Sequence, residues 1–429
     1  MKTILYPPQE EWSNLCRRPG ISKNDLENLV KSIIYKVKDA GDNAIREFSE
    51  KYDGFAPGAL KVDEEPIAAS AASIPEELKA AIEIARLNIE KFHLLPASAI
   101  KVTESIRGVR CWSRELPIEK VGLYIPGGTA PLFSTVLMLA LPASMAGCRE
   151  IILCSPPGKT GEIDPLILYA ASVSGVTAIY RVGGAQAIAA MAYGTETVPA
   201  VYKIFGPGNQ YVTKAKELVQ TDGIAIDMPA GPSEVLIIAD KTSDPRFVAA
   251  DLLSQAEHGP DSQVIMLTDS SDLIDLVRDE VALQAQHLKR KDIALKALDN
   301  SALILLKSSD DCIRFSNMYA PEHLILAVAD YNSLADKVIN AGSVFLGTYS
   351  CESIGDYASG PNHTLPTNGY AKSFSGVSAE SFMKKVFFQE VTPEGIRNLG
   401  PAVELMAEAE MLDAHKNAVS IRLKSLNND

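Results

Sequence analysis

The sequence predicts an α/β protein with two domains, each built on a doubly wound parallel sheet. One domain is predicted to be inserted in the other. Two observations carry this prediction: short apolar runs rich in Val and Ile alternate with alanine-rich helical segments, and this series starts twice along the chain. A helical region precedes the first series, and a helical tail follows the second. Consecutive units of this kind are typical of a parallel, doubly wound sheet.

The elements follow one another in a clear order. Apolar residues recur at three and four positions over residues 22–95, so this region is predicted to be helical. From about Lys120, four strand–helix units begin with the strands "KVGLYI", "REIILCS", "VTAIYRV" and "VYKIF". After "DMPAGPSE" a second series contains "VLIIA", "QVIMLT", "SALILL", "HLILAV" and "GSVFLG". Each series is expected to form one sheet.

Because one series interrupts the other, we predict a discontinuous domain. Residues 125–235 are expected to form the inserted domain, and residues 25–124 together with 236–378 the larger one. Residues 1–24 are an N-terminal segment. Residues 379–429 are a helical tail whose apolar positions suit docking on another surface.

Composition restricts the partners. The 429 residues carry a formal net charge of −13, which repels nucleic acid and anionic membranes and favours small substrates. The longest apolar stretch, "STVLMLALPASMAGC", is too short to span a membrane, and residues 1–9 lack the apolar part of a signal peptide. We expect a cytoplasmic protein without nucleic-acid or membrane partners.

The six cysteines stand singly, without a CxxC pair, and are expected to be reduced thiols that fill the core. A thiolate nucleophile at Cys351 is conceivable. The negative charge of the adjacent Glu352 opposes formation of that thiolate.

The glycine-rich turns suggest a nucleotide site without a complete fingerprint. "GPGNQY" supplies the first two glycines of GxGxxG but has Tyr211 at the third position, and "GGAQA" is a tight turn that opens a helix. We therefore predict that each sheet belongs to an incomplete Rossmann-like domain. Each turn could present backbone N–H groups to a pyrophosphate, or could serve only to turn a strand into a helix. A P-loop NTPase is disfavoured because no GxxxxGK[ST] occurs.

Two groups of polar residues could bind a metal or a substrate. Gln255 and His258 lie three apart at a predicted helix end and share a face, as two ligands of one ion would. A capping glutamine and a surface histidine would give the same pattern. Glu352, Asp356 and His363 lie in the loop-like "CESIGDYASGPNHTLPT", directly after a strand, where α/β enzymes place functional side chains. A solvated turn is the alternative.

Seven segments in fixed order resemble the histidinol dehydrogenase family over residues 25 to 425. They are "PGGTAPLFSTVLMLALPA", "GGAQAIAA", "FGPGNQYV", "DMPAGPSEVL", "LLSQAEHGPDSQV", "YAPEHL" and "ESIGDYASGPNH". The resemblance implies a zinc-requiring, NAD-dependent, four-electron oxidation of L-histidinol to L-histidine through an aldehyde, the end of histidine biosynthesis, in a homodimer. That family also lacks a complete GxGxxG, so its absence here does not count against NAD.

The resemblance also implies roles for individual residues. Glu322 and His323 correspond to the acid–base pair. The zinc ligands, one ion per subunit, would be Gln255, His258, Asp356 and His415. The substrate would meet these four together with His323, Ser233, His363 and Glu410. The cofactor contacts would be Tyr124, Gln186 and Asn209. The tail that carries His415 would complete the site of the neighbouring subunit.

Two histidines of the six directly follow a glutamate. In "QAEHG" the partner of His258 is expected to be Gln255, whereas Glu257 points elsewhere. In "PEHL" both residues are expected to act. Because adjacent residues of an extended segment point to opposite sides, Glu322 and His323 need a turn or bulge after Pro321 to face one site, or else serve different groups.

Two other functions remain open. A related zinc- and NAD-dependent dehydrogenase could act on another small amino- or sulfo-alcohol, although His363 and Glu410 suit an amino-alcohol that bears an imidazole. A metal-stabilised binding protein without turnover is the other alternative. The presence of both Glu322 and His323 argues against it, and an assay for NADH would decide.

Overall fold

The computed structural model describes residues 1–18, 23–94, 100–127, 130–229 and 231–426. Gly128 and Thr129 in the turn after the first predicted strand, and Ala230 in "DMPAGPSE", lie outside the described residues. The strands, in chain order, are β1 (Lys2–Leu5), β2 (Thr103–Ile106), β3 (Val109–Pro117), β4 (Lys120–Tyr124), β5 (Glu150–Ser155), β6 (Ala178–Arg181), β7 (Lys203–Phe205), β8 (Ala225–Ile226), β9 (Glu234–Ala239), β10 (Gln263–Thr268), β11 (Ala302–Leu305), β12 (His323–Ala327), β13 (Ser343–Leu346) and β14 (Met383–Val391).

The helices include one long N-terminal helix that is kinked at Gly41. Short 3₁₀ helices cover Gln9–Glu11, Ala71–Ser73, Tyr370–Lys372 and Ala379–Phe382. The α-helices are α1 (Trp12–Leu15), α2 (Lys23–Asp53), α3 (Glu64–Ser70), α4 (Glu76–Phe92), α5 (Phe133–Ala146), α6 (Pro165–Val173), α7 (Gly184–Tyr193), α8 (Gln210–Gln220), α9 (Pro245–Ala256), α10 (Ser271–Ala285), α11 (Lys291–Asp299), α12 (Ser309–Tyr319), α13 (Tyr331–Ala335), α14 (Glu352–Tyr357), α15 (Pro393–Ala409) and α16 (Asp413–Ser425).

The four strands of the first predicted series and the short β8 form a five-stranded parallel sheet in the order β6-β5-β4-β7-β8. Counted along the chain, these are the third, second, first, fourth and fifth strands of the sheet. The direction of winding therefore reverses between β4 and β7, the position where doubly wound sheets open a crevice for a ligand. Helices α2, α7 and α8 pack on this sheet in one buried cluster.

The second series forms a six-stranded parallel sheet in the order β1-β11-β10-β9-β12-β13. Strands β9 to β13 repeat the order of the first sheet, and β1 is added at the edge. Val235 and Ile237 face a cluster with α9, α10 and α11, whereas Leu236 and Ile238 face Trp12 and α12. The predicted α/β class with two parallel, doubly wound sheets is confirmed.

The chain forms two compact units. The one that contains both parallel sheets comprises Met1–Leu94 and Ile118–Phe382, and the other comprises Leu95–Pro117 and Met383–Asp429. In the second unit, β3 pairs antiparallel with β2 and β14, and α15 packs on α16. Neither this sheet nor β1 and β8 was predicted from the sequence, and residues 383–391 of the predicted helical tail form the strand β14 instead of a helix. No helix in the described ranges is both long and apolar enough to cross a membrane.

Candidate functional site

Buried polar side chains gather at the amino ends of β9 and β12, which are adjacent strands of the six-stranded sheet. Glu234 begins β9 and His323 begins β12, and His323 pairs in register with Val235. Gln255 comes from the last turn of α9. Glu234, Gln255, Glu322 and His323 are all less than one-tenth exposed. Polar groups this deeply buried require partners, and here they are largely partners of one another.

The backbone before β12 brings Glu322 and His323 to the same place. Helix α12 ends at Tyr319, and Ala320 then adopts a left-handed conformation with φ 55°. Oε2 of Glu322 lies 3.7 Å from Nδ1 of His323. Of the two arrangements that the sequence left open, the structure has the one in which both side chains face one site, with the turn just before Pro321.

The amide of Gln255 joins this pair. Its Nε2 lies 3.0 Å from Nδ1 of His323, 3.3 Å from Oε2 of Glu322 and 3.2 Å from the backbone oxygen of Glu234. An NH₂ group can only donate, so these neighbours fix the orientation of the amide. Its oxygen Oε1 therefore points away and, as far as the structure is described, has no hydrogen-bond partner although it is buried.

Helix α14 supplies the acids on the other side of His323. The segment was predicted as a polar loop, but Glu352 and Asp356 lie four apart on a short helix and share its face. Oδ1 of Asp356 is 3.2 Å from Nε2 of His323. Gly355 leaves room for Phe345 of β13, since a side chain there would meet that ring at 2.6 Å. This contact holds α14 against the sheet.

One histidine and two acids converge as ligands of a metal ion would. Ligand atoms of His258, Glu352 and Asp356 all lie within 4.8 Å of one another. Glu352 is buried, and its Oε2 has no hydrogen-bond partner among the described residues. A free buried carboxylate oxygen, a free buried amide oxygen and an imidazole are donors that suit zinc. The residues present therefore fit a bound cation.

The excess of acids shifts the protonation of the site. Burial raises the pKa of Glu322 and that of Glu352, each to about 8. Burial alone would lower the pKa of His323, but the charges of Glu322, Asp356 and Glu352 outweigh it and the pKa of His323 is raised. Burial alone would raise the pKa of Asp356, but the hydrogen bond from His323 and the charges of His323, His363 and His258 together outweigh it, and the pKa is lowered. Partial withdrawal of His258 from water lowers its pKa, which favours the neutral ring that binds metals.

A second set of contacts, which was not predicted from the sequence, holds the start of β9 in place. Arg18 pairs with both carboxylate oxygens of Glu234 at 2.9 Å and lies over the ring of Tyr319. The backbone N–H of Glu234 then donates to Oε2 of Glu322 at 2.8 Å. Arg18 and Glu234 thus position the strand end that holds Glu322. No local pattern links residues 216 positions apart.

Ser233 and His363 lie in the same compact unit as the buried cluster. Ser233 directly precedes β9, and its backbone oxygen accepts from Gln263 N at 3.1 Å. The neighbouring Asn362 donates to the backbone oxygen of Met138 on α5 at 2.5 Å. Within the described ranges Nε2 of His363 is buried without a partner, and burial lowers the pKa of this ring. A neutral imidazole with a free nitrogen is suited to hydrogen-bond a substrate.

Glu410 and His415 lie in the other compact unit. Glu410 follows the last residue of α15, and His415 lies in the first turn of α16. Both side chains are exposed in the single chain. Their assignment to a substrate or zinc site stays a prediction.

A cavity of about 940 Å³ lies at the carboxyl ends of β4, β5, β6 and β7. Tyr124, Gln186 and Asn209 all line it, so the structure brings together the three predicted cofactor contacts. Gln186 is 1% exposed, and in the described part of the chain its Nε2 has no partner. Asn209 caps α8 by accepting from Tyr211 N and Val212 N.

The glycine-rich turns around this cavity have identifiable structural tasks. Gly184 donates its N–H to the hydroxyl of Tyr124 at 3.1 Å. Gly206 has φ 125° and lies against the backbone of Tyr124, where any side chain would collide with the carbonyl oxygen. The helices α7 and α8 nevertheless begin beside the cavity, and a free buried amide faces it. The size, the position at the winding reversal and the helix N-termini fit a dinucleotide.

Comparison with known proteins agrees with this architecture. A sequence model of the family described as histidinol dehydrogenase matches residues 16–423. A histidinol dehydrogenase of Bacteroides thetaiotaomicron is 57% identical over 426 residues, covering 99% of this chain and 100% of the relative. One from Pectobacterium atrosepticum is 51% identical, covering 97% and 94%. The crystal structure of histidinol dehydrogenase from Elizabethkingia anophelis has 55% identity and a TM-score of 0.96, covering 100% of this chain and 99% of that one. The chain belongs to the histidinol dehydrogenase family.

Proposed function

We propose that the protein oxidises L-histidinol to L-histidine by way of the aldehyde, as the end of histidine biosynthesis, with zinc as a required ion. In this four-electron reaction L-histidinol, water and two NAD⁺ give L-histidine, two NADH and three protons. The observation that carries the proposal is the buried group of Gln255, Glu322 and His323, in which one amide holds a carboxyl group and an imidazole together. Alcohol and aldehyde oxidation need these two kinds of base.

The proposed zinc ligands are Gln255, His258 and Asp356 of one subunit and His415 of the partner subunit. The free Oε1 of Gln255 and the convergence of His258 with Asp356 support a cation at this position. When bound, the ion would orient the imidazole and amine of the substrate, act secondarily as a Lewis acid and offset the surrounding negative charge. Glu352 has a free oxygen within the same group and is a further candidate to contact the ion.

His323 is proposed to take the hydroxyl proton of the alcohol. Its Nδ1 accepts from the amide of Gln255, and its Nε2 faces Asp356. A cation held by Asp356 would leave Nε2 free to take the proton and would offset the acids that raise the pKa of the ring. Glu322 is proposed to take a proton from the water that adds to the aldehyde. The N–H of Glu234 and the amide of Gln255 fix its Oε2 for that task.

NAD, when bound, would accept a hydride in each of the two oxidations. We propose that Tyr124, Gln186 and Asn209 contact it in the cavity of the five-stranded sheet, where Gln186 has a free amide nitrogen. Ser233 and His363 of one subunit and Glu410 of the partner subunit would contact the substrate. Exchange of the tail between subunits would make the homodimer the active form.

A substrate panel tests this function. The zinc-loaded protein with NAD should release NADH with L-histidinol and only weakly with amino-alcohols that lack an imidazole, because His363 and Glu410 would have no partner to bind. A preference for another amino- or sulfo-alcohol would instead identify a related dehydrogenase. Binding of zinc and L-histidinol without release of NADH would identify a binding protein and overturn the proposal.

A further inference from the structure

The cofactor cavity contains a carboxyl group with no role in the function proposed above. Asp53 is the last residue of α2 and lines the cavity next to Tyr52. Its Oδ2 is buried and, across the described ranges, has no hydrogen-bond partner. Burial raises the pKa of Asp53 to about 6 although the nearby hydroxyl of Ser49 counteracts this effect, so the group remains largely ionised at neutral pH. A buried ionised oxygen without a donor is costly, and a ligand that donates hydrogen bonds would offset this cost.

Asp53 lies beside the loop that follows β5. Just after α2, the ring of Phe55 lies against Gly161, where an added side chain would collide with it. That loop also lines the cavity, through residues 156–160, 162 and 163. In the strand order of this sheet, β5 is the second strand. In dinucleotide-binding sheets of this order, an acid associated with the second strand accepts from the ribose hydroxyl groups of NAD.

The loop after β5 does not supply this acid itself. Strand β5 ends at Ser155 and is followed by "PPGKTGEID". Glu162 is paired with Arg181 at 2.7 Å, and Asp164 caps α6 by accepting from Leu166 N at 2.8 Å. Among the carboxyl groups that line the described cavity, Asp53 is therefore the one with a free buried oxygen.

We infer that Asp53 is a specificity-determining residue that accepts a hydrogen bond from the adenosine ribose of NAD and repels the 2′-phosphate of NADP. The inference rests on the proposed function in that it assumes a nicotinamide dinucleotide in this cavity. The carboxylate offers an acceptor to a ribose hydroxyl and a like charge to a phosphate. Lys159 of the same loop is exposed, so its ammonium group is hydrated and opposes this charge only weakly.

The test compares Asp53→Asn with Glu50→Gln, which removes the same charge from an exposed position of α2. Steady-state rates with L-histidinol are measured against NAD and NADP, and NADH binding to the protein alone is measured by calorimetry. Asp53→Asn should raise KM for NAD by about 10- to 100-fold, the effect of one hydrogen bond to an ionised acceptor. It should leave kcat at saturating NAD nearly unchanged and improve or preserve kcat/KM with NADP. Glu50→Gln should leave the kinetic constants with NAD and with NADP unchanged.

The outcomes separate the inference from the proposed function. If Asp53→Asn leaves KM for NAD unchanged, or weakens NAD and NADP by the same factor, the inference is wrong while the function stands. If the wild-type protein does not oxidise L-histidinol, the proposed function fails, and NADH binding still decides the role of Asp53. Should Asp53→Asn be unstable, Asp53→Ser serves as the second variant, with the same expected loss of preference for NAD.

Discussion

Glu322 and His323 are adjacent residues with different proposed tasks, and two variants separate them. Glu322→Gln should slow aldehyde oxidation by about 10²–10⁴-fold and alcohol oxidation much less, because only the first needs water to be activated. His323→Ala should slow both half-reactions by a factor in that range. Rates with L-histidinol and with the aldehyde, measured separately, check this. Glu257→Gln, in the other Glu-His pair, is the control and should keep both rates. If both variants lost the same activity in both half-reactions, the proposed division of tasks between Glu322 and His323 would be wrong.

Among individual residues, the sequence reveals only those site residues whose partners are close along the chain. The spacing of Gln255 and His258 and the adjacency of Glu322 and His323 are visible locally. The pair of Arg18 and Glu234 is not, because a single arginine and a single acid far apart carry no pattern. Glu352 is visible in the sequence, but only its burial beside His258 and Asp356 distinguishes it from a solvated acid.

Among the elements, the turn after β7 gives the sharpest prediction of stability. Gly206 combines φ 125° with direct contact to the backbone of Tyr124. Gly206→Ala should therefore lower the free energy of unfolding by about 2–5 kcal/mol, from the strained backbone and the collision together. Gly223→Ala is the matched control, since Gly223 has φ 93° but open space around it. It should cost only about 1–2 kcal/mol. Urea unfolding measures both, and similar losses would contradict this explanation.

The elements predicted best are those with strong local patterns. The apolar runs of both series became parallel strands, and the helical region before them became α2, α3 and α4. The sheet of β2, β3 and β14 was missed because its strands pair residues such as Val109 and Val391, whose register no local pattern indicates. Helix α14 was taken for a loop, since its Ser and Gly are typical of turns and its stability comes from packing on α9 and β13.

At the scale of the whole molecule, the chain contributes β1 to the six-stranded sheet, completes the five-stranded sheet and then returns to the six-stranded one. The insertion of one domain in another stays a prediction. The limits at residues 125 and 235 stay predictions. A fold with two extensive buried cores does not depend on one ion. Chelation should therefore abolish activity while circular dichroism stays unchanged, and added zinc should restore turnover. Unfolding on removal of zinc would make the metal structural instead.

Exchange of the tail between subunits can be tested with mixed dimers. One chain carries His415→Ala and the other His258→Ala, so each homodimer should be inactive. If tails cross, a mixed dimer has one complete site and one that lacks both ligands. With random pairing about half of the dimers are mixed, so co-expression should restore about a quarter of wild-type activity, as two-fold symmetry requires. If each tail served its own chain, every site would lack one ligand and no activity would return.

The stoichiometry of NADH tests the central claim most directly. A limiting amount of L-histidinol is converted to completion with excess NAD, and NADH is measured by its absorbance. Because one chain carries a base for the alcohol, a carboxylate to activate water and a dinucleotide-sized cavity, we expect two NADH for each L-histidinol, with little free aldehyde. A plateau at one NADH, with the aldehyde accumulating, would contradict the four-electron oxidation proposed for this protein.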